Sequence, residues 1–172
     1  MKLPKAVFVL HETGIDVETL EDYMADGEFL GSYHAVITIQ GNIIYFTPPD
    51  MKAFAASDSI FEDPETNELE SINGSVDDFA YHCALETPES GRDPSVQIHA
   101  GYSRQQYKAL AWLLKATGIN LNRFVKHGEL KSVPSNEPRC FNMEYFMNVL
   151  LEQNNEPSIN LGSLEIWVLY KK

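Results

Sequence analysis

Val7-Phe8-Val9-Leu10-His11-Glu12-Thr13-Gly14 runs an apolar, strand-like segment straight into a histidine. Far along the chain, Phe124-Val125-Lys126-His127-Gly128-Glu129-Leu130 repeats the pattern. A buried strand that ends in an imidazole carries a rigid, neutral nitrogen donor to the rim of a sheet, where it can bind a metal ion such as zinc. If the two strand ends meet in space, His11 and His127 are two ligands of one site. A lone histidine at a strand end is more often a hydrogen-bonded structural residue, so the expectation rests on the pair.

Working outward from these strands, Asp16 to Ala25 reads as a helix with Asp16 as N-cap, acidic side chains in the first turn and Gly27 as its stop. Residues 35–40 and 43–47 are two β-rich runs around Gly41-Asn42, which predicts a hairpin ended by Pro48-Pro49. Residues 57–78 are acidic and turn-rich and read as a long surface loop; 79–86 is a further strand. The best helix runs from Ser103 to Thr117. Ser103 and Gln106 form a capping box, Tyr107, Leu110, Leu113 and Leu114 make one apolar face, and Gly118 is the stop. A further helix from about Asn142 to Gln153 and a last strand, Leu164–Tyr170, complete an alternation that predicts an α/β or α+β layered fold, a mixed central sheet flanked by helices.

The 172 residues, 44% of them hydrophobic, suffice for one core, so residues 1–172 are expected to form a single domain. No run approaches the roughly 18 apolar residues of a membrane span. The apolar stretch before His11 is too short for a signal sequence, so synthesis and folding in the cytoplasm are expected. A net charge of −12 argues against nucleic acid or an anionic membrane as partner and leaves a neutral or zwitterionic substrate open. Cys83 lies in an apolar run and reads as a small hydrophobe, with no disulfide expected. Cys140 follows Pro-Arg in a polar loop after His127, where its thiolate could reach a metal.

Taken in order, the motifs over roughly residues 6–146 resemble the zinc-dependent N-acetylmuramoyl-L-alanine amidase family, whose fold is shared by peptidoglycan recognition proteins and phage amidase lysozymes. Leu10-His11-Glu12-Thr13-Gly14 is similar to the first zinc block. Ser32-Tyr33-His34-Ala35-Val36-Ile37 with Gly41-Asn42-Ile43-Ile44-Tyr45 resembles the hairpin, and Val76–Ala80 with Cys83-Ala84-Leu85 the central strand. Tyr102–Leu110 resembles the long helix; His127-Gly128-Glu129-Leu130 and Glu137-Pro138-Arg139-Cys140-Phe141-Asn142 resemble the terminal zinc block. Each block alone is common, and only their joint order is specific.

The resemblance implies a Zn2+ cofactor held by His11, His127 and a third ligand, for which Glu137 takes the family's aspartate place and Cys140 competes. It implies hydrolysis of the amide bond between N-acetylmuramic acid and L-alanine in peptidoglycan or muropeptides, in the cytoplasm or on the cell wall after lysis or secretion. For catalysis, Tyr33 sits where phage-type members carry a tyrosine. Ala84 occupies the family's strand glutamate position, with Glu86 in reserve two residues on, on the same strand face. The family's lysine is missing, since Ser135 and Asn136 occupy its neighbourhood, and Lys126, Lys131 or Arg139 would have to substitute. These departures keep a rival open, a muropeptide-binding module that does not cut. His34 reads equally as a structural residue or a substrate contact, and His82 and His99 read as structural.

Overall fold

The computed structural model describes residues 6–26, 32–72, 74–132, 134–155 and 167–168. In chain order the elements are β1 (Val7–Glu12), α1 (Val17–Asp26), β2 (Ala35–Ile37), β3 (Ile43–Tyr45), β4 (Phe61–Glu62), β5 (Leu69–Glu70), β6 (Ala80–Leu85), α2 (Arg104–Thr117), β7 (Phe124–Lys126), α3 (Met143–Asn155) and β8 (Trp167–Val168). Six strands form one sheet in the order β7-β1-β6-β2-β3-β8, and β4 and β5 pair separately. Among the described strands of the large sheet, β2 and β3 run antiparallel and the other neighbours parallel. The mixed, helix-flanked sheet expected from the sequence is therefore the one observed.

Every residue of β1 and β6 is buried. That is the behaviour of parallel strands covered on both faces, and it explains why their sequences read as apolar runs rather than alternations. On one face Phe8, Leu10, Tyr81, Cys83 and Leu85 pack against Leu110, Leu113 and Leu114 of α2 and Phe146 and Val149 of α3. On the other face Val7, Val9 and Ala80 pack against Phe61, Val76, Phe79 and Leu130. Farther along that face Val36 and Ala84 meet Val17 and Leu20 of α1 and Tyr33.

The helix signals were legible. Thr19 N–H donates to Asp16 Oδ1 at 2.8 Å at the start of α1, although Gly27 lies outside the described residues. At α2 the reciprocal bonds of Ser103 and Gln106 form, and Gly118 closes the helix in the left-handed region at φ 70°. Asn142 caps α3, accepting from Tyr145 N–H at 2.9 Å. The hairpin strands are shorter than expected, because Glu86 captures Ile39 N–H and Ser103 Oγ–H donates to Ile39 O, pulling that residue out of the ladder. Residues 57–78 are not merely a surface loop. Phe61 and Val76 are buried because α2 and α3 cover only one side of the sheet and this segment must cover part of the other. Of the expected last strand only Trp167–Val168 is described, paired parallel to β3. Both cysteines are free, and Cys83 is buried, which pushes its thiol pKa far up. No helix among the described residues is long and apolar enough to cross a membrane.

Candidate metal centre

β1 and β7 are hydrogen-bonded in parallel, with Phe8 beside Phe124 and Leu10 beside Lys126. Continuing that register places the next residues, His11 and His127, side by side at the carboxyl ends of the strands, with ring centroids 4.5 Å apart. The chain then turns back, and Glu137 is brought to them by the hydrogen bond from Gly128 N–H to Glu137 O, 2.8 Å. Glu137 Oε2 lies 3.3 Å from His127 Nδ1 and 4.0 Å from His11 Nδ1. The three donor atoms lie within 4.8 Å of one another and form the one such group found among the described residues.

This group fits a zinc ion. Tetrahedral bonds of about 2.0–2.2 Å place neighbouring donors roughly 3.4 Å apart, and two histidines with one glutamate leave a fourth position open. Burial, reinforced by the nearby His82 and His127, holds the His11 pKa well below the usual histidine value, so its imidazole stays neutral and can ligate.

Gly128 is required here for space. A Cβ at that position would stand 2.5 Å from Ser135 O and 3.0 Å from Asn136 Cα, both backbone atoms of the segment that carries Glu137. Gly128→Ala is therefore expected to push Glu137 away from the histidines and weaken zinc binding by about 10-fold or more, as misplaced ligands do. Competition with a chromophoric chelator measures this, with far-UV circular dichroism unchanged.

Tyr33 is brought to the same place, its ring centroid 5.4 Å from that of His11. Burial, with the charges of Glu137 and Glu12, raises its pKa well above the usual phenol value, so the hydroxyl keeps its proton. Neither Cys140 nor Glu86 belongs to the group. Cys140 is exposed and its Sγ accepts from His99 N–H at 3.3 Å. The Glu86 carboxylate accepts from Val17 N–H, Ile39 N–H and Arg92, which ties the start of α1 to the hairpin. Lys126 pairs with Glu129, Lys131 with Glu62 and Arg139 with Glu12.

His34 is structural, its Nδ1 accepting from His82 N–H at 2.9 Å and its Nε2 3.1 Å from Met51 O. His82 is more than that. It lies directly behind His11, with its Nδ1 3.0 Å from His11 Nε2. The signal was in the sequence, because His82 precedes Ala84 by two residues on one strand and so shares its face. A cavity of about 350 Å³ opens beside Glu137, lined by Glu12, Thr13, Ile15, Arg92 and Asn136 among others.

No family model and no curated protein sequence matches this chain. Solved structures do. The N-acetylmuramyl-L-alanine amidase AmiD from E. coli, in complex with the substrate anhydro-N-acetylmuramic acid-L-Ala-D-gamma-Glu-L-Lys, is 18% identical with a TM-score of 0.67, covering 86% of this chain and 58% of its own. AmpD, as a selenomethionine derivative, is 19% identical with a TM-score of 0.58, covering 86% of this chain and 85% of its own. The N-acetylmuramoyl-L-alanine amidase LysC from Clostridium intestinale is 16% identical with a TM-score of 0.56, covering 90% and 89%. The chain therefore has the fold of the N-acetylmuramoyl-L-alanine amidases.

Proposed function

We propose that this protein is a zinc-dependent N-acetylmuramoyl-L-alanine amidase, with residues 1–172 acting as one catalytic domain on peptidoglycan or muropeptides. The observation that carries the reading is the convergence of His11, His127 and Glu137 beside an open cavity, on a fold that AmiD uses with a muropeptide bound. Those three side chains hold the ion. When bound, zinc supplies Lewis-acid polarisation of a carbonyl and acidifies water near neutral pH.

The reaction joins a water oxygen to the lactyl carbonyl carbon and breaks the bond to the L-alanine nitrogen, which leaves as an amine after gaining a proton. Tyr33 serves the negative charge that develops on the carbonyl oxygen. Its buried, protonated hydroxyl is a donor that needs no reorganisation. Ala84 offers no proton acceptor, so the proton that the attacking water gives up is the one the leaving nitrogen gains, with no strand carboxylate to relay it.

The test is to incubate the zinc-loaded protein with a muramoyl tripeptide and follow free stem peptide by mass spectrometry. Release is expected, lost with chelator and restored by zinc. Tyr33→Phe is expected to lower kcat by about 100- to 1000-fold with zinc content unchanged, the usual loss for one oxyanion donor. No release under any metal condition refutes the enzyme. Saturable muropeptide binding without release supports the binding module, which Ala84 and the engagement of Lys126, Lys131 and Arg139 elsewhere favour.

A further inference from the structure

Behind the metal-facing atom of His11 runs a line of buried polar side chains that packing alone does not explain. His11 presents Nδ1 to Glu137, and its Nε2 points into the protein, 3.0 Å from His82 Nδ1. His82 is fully buried, and its Nε2 lies 3.1 Å from Asp77 Oδ1. Asp77 is 3% exposed, and the same Oδ1 accepts from Ala56 N–H at 3.0 Å. The sheet sets this spacing, since the β1–β6 register pairs Val9 with His82 and His11 with Ala84. Both imidazoles therefore rise from one face of adjacent parallel strands, offset by a single two-residue step.

The protonation pattern follows from one constraint. A neutral imidazole has one N–H and one lone pair. If His11 Nδ1 offers its lone pair outward, its Nε2 carries the proton and donates to His82 Nδ1. His82 must then hold its own proton on Nε2, facing the Asp77 carboxylate. His34 does not compete, because its Nδ1 takes the His82 backbone N–H and leaves the His82 ring to the line. Without His82 the Nε2–H of His11, whose side chain is 1% exposed, would lose its acceptor in the interior, at the cost of an unsatisfied donor.

We propose that His82 and Asp77 are positioning residues for the metal centre: they fix the ring of His11 in the tautomer and orientation that direct Nδ1 at the ion, and so set metal affinity. The inference rests on the metal-binding reading of His11, His127 and Glu137. Partners of this kind behind a ligating histidine typically contribute 10- to 100-fold in metal affinity.

Two measurements test it. In metal-free protein with 15N-labelled histidine, long-range 1H–15N correlation spectra are expected to show His11 and His82 both as Nε2–H tautomers; an Nδ1–H tautomer on either overturns the proposal. Zinc dissociation constants are then compared by chelator competition. His82→Leu is expected to weaken zinc about 10- to 100-fold. His82→Asn, which keeps an acceptor close to the position of Nδ1, is expected to recover most of that loss. Equal affinities for wild type and both variants overturn the proposal. A leucine variant that fails to fold leaves the asparagine variant and the spectra to decide. A wild type that takes up no zinc refutes the metal reading itself, and the tautomers still decide the hydrogen-bonded line.

Discussion

Glu137→Ala is expected to strip the protein of zinc and abolish amide hydrolysis, whereas Cys140→Ala leaves both intact. Glu137 Oε2 lies 3.3 Å and 4.0 Å from the two histidine Nδ1 atoms, and it is the group's only anionic donor. Without it two neutral imidazoles remain, one short of the three protein ligands a catalytic zinc site uses. Because even an outer partner is worth 10- to 100-fold in affinity, loss of a direct ligand is expected to exceed about 100-fold. Activity should follow, by about 1000-fold or more, since polarisation and acidification both disappear. Cys140 cannot compensate, its sulfur being turned to His99 N–H. Metal content after gel filtration, read with the release assay, checks both variants; zinc loss in Cys140→Ala alone would reverse the ligand assignment.

The second large effect concerns folding. Glu12 follows His11, and Arg139 lies two residues past Glu137. Arg139 Nε and Nη2 donate to the two Glu12 oxygens at 2.7 and 3.0 Å, and Arg139 N–H adds a third bond at 3.0 Å. Two further guanidinium N–H groups reach Gly91 O and Val96 O. The side chains are 3% and 12% exposed, so this fork is worth far more than a surface pair.

Glu12→Gln leaves a guanidinium in that site without its carboxylate, at an expected cost of about 3 kcal/mol. For a chain of this size that lowers Tm by about 6–12 °C. Urea unfolding measures it, and the double variant with Arg139→Met is expected to lose less than the sum of the two singles. The pH dependence has a definite sign. Burial opposes ionisation of Glu12, but the hydrogen bonds and charge of Arg139, helped by His99, outweigh it and lower the folded pKa. The contribution is therefore complete above the unfolded glutamate value near about 4.3 and is lost as pH falls through the folded value. The acid limb of Glu12→Gln should be correspondingly flatter.

What could be read from sequence was what local chemistry writes into it. The capping box of Ser103 and Gln106, the stop at Gly118 and the apolar run of β1 each follow from a few adjacent residues. That His11 and His127 would meet was legible because both end strands, and Glu137 and Cys140 both follow His127 closely enough to reach it. Less was visible where long-range packing decides. The burial of Phe61 and Val76 depends on which sheet face the helices leave bare. Glu86 looked like a reserve acid because it shares a face with Ala84. Its actual partners, Val17, Ile39 and Arg92, lie on three other segments. The contact between His82 and His11 needed the β1–β6 register, which no single strand reveals. Arg139 looked like a spare cation until its partner, distant in sequence, appeared beside it.

Among the described residues β7 is a three-residue strand at one edge of the sheet, bonded to β1 alone. Short edge strands are where a sheet opens first. His127 follows it directly, and the other two members of the candidate metal group sit on β1 and on the segment after β7. An ion held by the three would thus fasten this edge of the sheet to its neighbour. In the unfolded chain those donors are scattered too widely to bind together, so metal uptake and closure of the seam are one equilibrium. Free metal at 100 times the dissociation constant would add about 2.7 kcal/mol to folding. The proposed metal centre would in that sense also be a clasp, and scarcity of metal is expected to loosen the fold as well as remove chemistry.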